Sequence, residues 1–111
     1  MFNIGVDVIE ISRFRSIENL ERAAEFFLLE EELEMARQAP DIYQHLASRF
    51  ALKEAVIKAM PEAIFYHDFQ IVKQGTAPKV KLLKEHLKEY QVAVSLAHTE
   101  TSAIGFAMVN F

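Results

Sequence analysis

Phe2, Ile4, Val6 and Val8 alternate with Asn3, Gly5, Asp7 and Ile9. A period of two predicts a strand with one uniformly apolar face, and it sets Asp7 on the other face beside Gly5 and Ile9. Ser12 is a suitable N-cap for the next segment, and a helical stretch is expected over 17–38, continuous or broken in two. Pro40-Asp41 is the clearest break before a second helix over 42–60, which is apolar almost all round and stops at Pro61. The second half returns to period two. Phe69-Gln70-Ile71-Val72 reads as a strand, Gly75-Thr76-Ala77-Pro78 as a turn, and Val80 and Leu82 as positions in the partner strand. A short helix is expected over 83–90. Val92, Val94 and Leu96 alternate in the next strand, 98–102 turns the chain, and 103–110 makes the closing strand. Strand, helices, then strands with one short helix is an α+β order: a mainly antiparallel sheet packed on a long buried helix. No repeat, linker or low-complexity segment divides residues 1–111, which read as a single domain.

Composition narrows the class. At 111 residues and 51% hydrophobic content the chain is short and apolar, a combination that favours a homo-oligomer with sites between subunits. Cysteine is absent, so there is neither a disulfide frame nor a thiolate metal site, and a cytoplasmic location is expected. No apolar run approaches membrane-spanning length and no leader-like segment opens the chain. The net charge of −4 is uneven: residues 18–34 carry seven glutamates against Arg22, leaving the remainder positive by two. A solvated helix face accounts for that segment. The basic residues form no run of the kind that binds nucleic acid.

The chemistry concentrates in two places. Asp7 is a carboxylate among β-branched residues, where a lone charge is costly. Glu54 and Lys58 lie about 40° apart on the 42–60 helix, at 100° per residue. Arg49 and Lys53 pair on another edge, well over 100° away. Exposed, Glu54 and Lys58 would be an ordinary i,i+4 pair of about 0.2–0.5 kcal/mol; an apolar setting raises the cost of an idle charge. Asp7 can cap the next turn or act as a metal ligand facing Glu54, and two carboxylates with water and phosphate oxygens suit Mg²⁺. Glu10 can add a third carboxylate or pair with Arg13. His98 can be structural, or can hold a phosphate with the Ser95 hydroxyl.

Gly5-Val6-Asp7-Val8-Ile9-Glu10-Ile11-Ser12-Arg13-Phe14 resembles the opening G-[IVL]-D-[IV]-x-E-[IL]-x-R-[IF] of holo-acyl-carrier-protein synthases. The segment from Leu46 through Ser48-Arg49-Phe50-Ala51-Leu52-Lys53-Glu54-Ala55 to Lys58-Ala59 is similar to their central L-A-x-R-[FW]-[AS]-x-K-E-A-x-x-K-A helix. Val94-Ser95-Leu96-Ala97-His98-Thr99 looks like their late V-S-[IL]-[ST]-H-[TD] strand end. The three occur in order at compatible spacing, and the middle one is the specific one. The resemblance implies a small, trimeric 4′-phosphopantetheinyl transferase. Such enzymes move phosphopantetheine from coenzyme A to a serine of an apo carrier protein and release adenosine 3′,5′-bisphosphate. By the same resemblance, Asp7 and Glu54 match Mg²⁺ ligands and Lys58 the lysine near the pyrophosphate. Arg49 matches an arginine at the nucleotide 3′-phosphate, His98 the late histidine of the coenzyme A site, and Arg13 a residue on the carrier-facing side.

Three departures accompany the match. The Gly-Thr-Gly loop usual after the central helix is absent; the chain reads Ala59-Met60-Pro61-Glu62-Ala63-Ile64, and close backbone approach to phosphate is expected to suffer. The helix usually basic toward an acidic carrier lies in the acidic 18–34 segment, which disfavours such a partner. The usual arginine and threonine become Phe26 and Leu29, and the usual Gly-Lys-Pro turn becomes Gly75-Thr76-Ala77-Pro78. The alternative reading is a descendant that keeps the fold but binds a nucleotide or a partner protein without transfer chemistry.

Overall fold

A computed structural model describes residues 1–111. Its strands are β1 (Phe2–Glu10), β2 (Phe69–Gln74), β3 (Ala77–Leu82), β4 (Gln91–His98) and β5 (Ser102–Asn110). Its helices are α1 (Ser12–Arg15), α2 (Leu20–Glu25), α3 (Glu30–Arg37) and α4 (Ile42–Ala59). All strand pairs are antiparallel, but they form two sheets rather than one: β1-β5-β4, and the hairpin β2-β3. No helix is long and apolar enough to cross a membrane.

The long helix forms as its sequence dictates. The Asp41 carboxylate accepts the Tyr43 and Gln44 amides at 3.1 and 3.2 Å, and Pro61 follows the last turn. Its alanine edge lies directly on the three-stranded sheet. A Cβ on Gly5 would fall 2.1 Å from the Ala55 carbonyl oxygen, and one on Gly105 would fall 2.5 Å from that of Ala51. Helix backbone therefore meets strand backbone where both sides lack bulk. One core cluster, including Phe14, Phe27, Leu33 and Leu46, sits beneath the short helices. A second, including Val56, Phe69, Ile71 and Leu87, fills the space between α4 and the hairpin.

Of the two forms expected for residues 17–38, the broken one is observed: two separate helices, α2 and α3, with the turn Ser12–Arg15 before them. The break falls at Phe26-Phe27-Leu28-Leu29, four large apolar residues that one helical face cannot bury together. Phe27 and Leu28 go inward, Phe26 stays exposed, and Leu29 is extended. The new helix starts where the Glu32 carboxylate accepts the Leu29 amide at 2.9 Å. Ser12 is the first residue of α1 and not its cap. The helix expected over 83–90 is only a 3₁₀ turn at Glu85–Leu87. The β2-β3 turn is the two residues Gly75-Thr76, with Gly75 at φ +66°, the backbone a tight hairpin demands. In β1 the alternation is as read, but the burial is notable: Gly5 and Ile9 face α4, whereas Phe2, Ile4, Val6 and Val8 are each more than half exposed.

Candidate active site

Two groups of polar side chains flank α4. The first joins β1, α4 and the 3₁₀ turn at Tyr66–Asp68. The Lys58 ammonium donates to Asp7 Oδ1 at 2.9 Å and to the Val6 carbonyl at 3.1 Å. Asp7 Oδ2 is buried and has no hydrogen-bond partner. The Tyr66 hydroxyl donates to Glu54 Oε1 at 2.5 Å. Burial, then the Glu54 and Asp7 carboxylates, push the Tyr66 hydroxyl up to about 12. Arg13 lies over the Phe50 ring, 5.6 Å from its centre, and Phe50 packs on Tyr66 with ring centres 6.1 Å apart. Thus Asp7, Glu54, Lys58 and Arg13 share one flank. Glu10 takes no part: it accepts the Ser102 hydroxyl at 2.9 Å and does not pair with Arg13.

On the other flank is a cleft of about 520 Å³ between α4, the hairpin and the end of β4, lined by residues including His45, Arg49, Lys73 and His98. Arg49 is only 7% exposed and its guanidinium has no partner within the chain. Burial lowers its proton affinity while nearby Glu32 raises it. Burial, with the charges of Arg49 and Lys73, also drives His45 down to about 4, so its imidazole is neutral at physiological pH. Gln44 Nε2 donates to His98 Nδ1 at 2.7 Å, which leaves Nε2 of the neutral ring as an N–H donor. An uncompensated guanidinium, a lysine and an imidazole donor make this cleft a place for an anion.

Ser95 does not join His98. The two are three residues apart in a strand and point to opposite faces; Ser95 pairs with Phe106 and, like it, is exposed on the outer face of the sheet. Nor do Asp7, Glu54 and Lys58 line the cleft. The loop in place of Gly-Thr-Gly turns its carboxylate aside, for Glu62 accepts the Tyr90 hydroxyl at 2.6 Å and lies 3.3 Å from His86 Nε2.

Sequence reasoning set Lys53 beside Arg49 on a helix edge without giving it a role, and passed over Glu32 and Tyr66. Lys53 is wholly buried and donates to the Tyr66 and Phe69 carbonyls at 2.6 and 2.7 Å and to Glu32 Oε1 at 3.1 Å. Glu32 Oε2 accepts the Ile71 amide at 2.8 Å. Burial pushes the Lys53 ammonium down and Glu32 holds it up. A lysine within an otherwise buried helix was the available signal; nothing in the sequence distinguished Glu32 from the six other glutamates around it, or Tyr66 from a core aromatic.

The residues present suit a hard divalent cation. Asp7 has a buried oxygen without a partner, and Glu54 has its second oxygen free. No third histidine, aspartate or glutamate completes a cluster, so such an ion would draw the rest of its shell from water and ligand oxygens, as Mg²⁺ commonly does.

Residues 3–107 match the family profile described as the 4′-phosphopantetheinyl transferase superfamily. The holo-[acyl-carrier-protein] synthase of Chlorobaculum parvum is 36% identical over 96% of this chain and 97% of its own length. The crystal structure of the Helicobacter pylori holo-[acyl-carrier-protein] synthase, in complex with coenzyme A, superposes with a TM-score of 0.83 at 28% identity, over 96% of this chain and 99% of that one. The Neisseria meningitidis enzyme of the same name superposes with a TM-score of 0.85 at 25% identity, over 98% of each chain. With an acid–lysine group and a cationic cleft flanking one helix, and with these relatives spanning nearly its whole length, the chain belongs to the 4′-phosphopantetheinyl transferase superfamily, in its holo-acyl-carrier-protein synthase branch of transferases.

Proposed function

We propose that this chain transfers 4′-phosphopantetheine from coenzyme A to a serine hydroxyl of an apo carrier protein, with Mg²⁺, releasing adenosine 3′,5′-bisphosphate. The observation that carries this reading is that two carboxylates each have one oxygen engaged and one without a donor, Asp7 held by Lys58 and Glu54 by Tyr66. Asp7 and Glu54 would hold Mg²⁺, which would supply neutralisation of pyrophosphate charge. Lys58, already fixed by Asp7 and the Val6 carbonyl, offsets charge gathering on the departing bisphosphate. Arg49, Lys73 and the Nε2–H of His98 bind the phosphates of the nucleotide end. Arg13, beside Phe50 at the rim, meets the carrier.

The catalytic carboxylates and the anion cleft lie on different flanks of α4, and one chain does not close them into one pocket. The outer face of β1 is an apolar stripe that extends onto Phe106 and Met108 of β5. Both features support a homotrimer in which the carboxylate group of one subunit faces the cleft of the next. The exposed Ser95, far from His98 in its own chain, would then lie at a subunit boundary.

The test is incubation with coenzyme A, Mg²⁺ and a panel of apo carrier proteins of different surface charge, followed by mass spectrometry. A phosphopantetheine adduct on at least one carrier, lost in Asp7→Ala and Glu54→Ala, is expected. No adduct on any carrier would overturn the reading.

A further inference from the structure

We infer that Tyr66 is a positioning residue for the cation site: its hydroxyl holds one oxygen of Glu54 and so presents the other, in the way that Lys58 presents Asp7. The inference rests on the transfer reading above and concerns a residue that no sequence motif marked.

The two carboxylates are arranged alike. Asp7 Oδ1 is taken by an ammonium at 2.9 Å and Oδ2 is left without a partner. Glu54 Oε1 is taken by the Tyr66 hydroxyl and Oε2 has no donor. A carboxylate on a helix has three side-chain torsions and would otherwise sample several rotamers. One engaged oxygen removes most of that freedom and leaves a single lone-pair set for an incoming ion. Because the tyrosine donor is neutral, it orients Glu54 without cancelling its charge, which a second lysine would do.

Tyr66 is itself held at both ends. Its carbonyl accepts the buried Lys53 ammonium at 2.6 Å, while its hydroxyl meets the carboxylate of the very next residue of α4. The ring meets Phe27 edge-on and Phe50 at a tilt, at 6.5 and 6.1 Å between centres. Adjacent residues of one helix thus grip the two ends of one tyrosine. Glu32, through Lys53, ties that grip to α3. Groups that orient metal ligands in this manner change metal affinity or activity by about 10–100-fold when removed.

Tyr66→Phe removes the hydroxyl and keeps the ring. Mg²⁺ titration by calorimetry with coenzyme A present should show affinity weakened about tenfold or more, at the low end of that range. The Mg²⁺ concentration for half-maximal transfer should rise by a similar factor, with kcat at saturating Mg²⁺ much less affected and the melting curve close to wild type. Tyr43→Phe, a hydroxyl deletion away from the site, should leave Mg²⁺ affinity unchanged. If folded Tyr66→Phe binds Mg²⁺ as wild type does while wild type transfers normally, the role of Tyr66 is wrong and the transfer reading stands. If wild type neither binds Mg²⁺ nor transfers, both fall. Should Tyr66→Phe fail to fold, 3-fluorotyrosine in the unsubstituted protein decides. Of its three ¹⁹F signals, that of position 66 should move most on adding Mg²⁺; a still signal there overturns the inference.

Discussion

Lys53 is the most completely buried charge in the chain, and its three oxygen partners come from α3, the turn after α4 and β2. Lys53→Met leaves the Glu32 carboxylate buried with only amide donors, a loss of about 3–5 kcal/mol for breaking one side of a buried pair. Urea unfolding should show it, and a loss under 1 kcal/mol would mean that Glu32 is solvated after all. His45 gives a pH signature. Its folded value of about 4 lies below the unfolded 6.5, so the folded protein binds fewer protons between those values. Its contribution to stability is full above about pH 6.5 and is lost as pH falls toward 4. His45→Gln should therefore flatten the fall of the urea midpoint across that window; an unaltered slope would show that other groups set it. The sequence marked Lys53 only as a lysine in a buried helix, because a lysine or histidine in an apolar pattern does not reveal which carbonyls or charges will face it.

At the scale of elements, α4 is the part that sequence described best. Its apolar circumference, the Asp41 cap and the Pro61 stop are local properties, and they placed the helix within one residue of its observed end. Strands with strict alternation were equally plain. The acidic segment was not, since glutamates at so many positions hide which turn faces the core, and the break depends on where Phe27 and Leu28 find room. The 3₁₀ turn at Glu85–Leu87 was overread as a helix because Leu87 alone is buried there. The contact of α4 with the sheet yields the sharpest prediction at this scale. Gly105→Ala places a methyl against the Ala51 carbonyl, where neither backbone can retreat. Overpacking of this kind costs about 1–3 kcal/mol. Chemical denaturation that finds the variant as stable as wild type would show that the helix can lift off the sheet.

For the whole molecule, the face of β1 was legible as apolar but not as outward. Period two says which residues share a side; it does not say which side another layer will cover. Small residues Gly5, Gly105 and Ala107 went under α4, and the larger Phe2, Ile4, Val6 and Val8 were left outside. Motif and spacing singled out Asp7, Glu54 and Lys58, whereas the separation of Ser95 from His98 depended on strand parity. With the outer face as a subunit interface, sedimentation equilibrium should give a trimer at micromolar concentration. Val6→Lys should give a folded monomer that retains helical circular dichroism but has lost transfer. A monomeric wild type would remove the intersubunit site.

Asp7 is made before every helix of the fold, yet its partner strand follows them all: Asp7 pairs with Gly105 in the β1-β5 ladder. Pairings so distant in sequence form slowly. On the ribosome, β1 must therefore wait through synthesis of every helix before it has an edge to join, with its apolar residues open to other chains meanwhile. A carboxylate made before the helices is fixed in its sheet only after β5 has been made, so no nascent fragment that stops short of β5 holds Asp7 in its ladder.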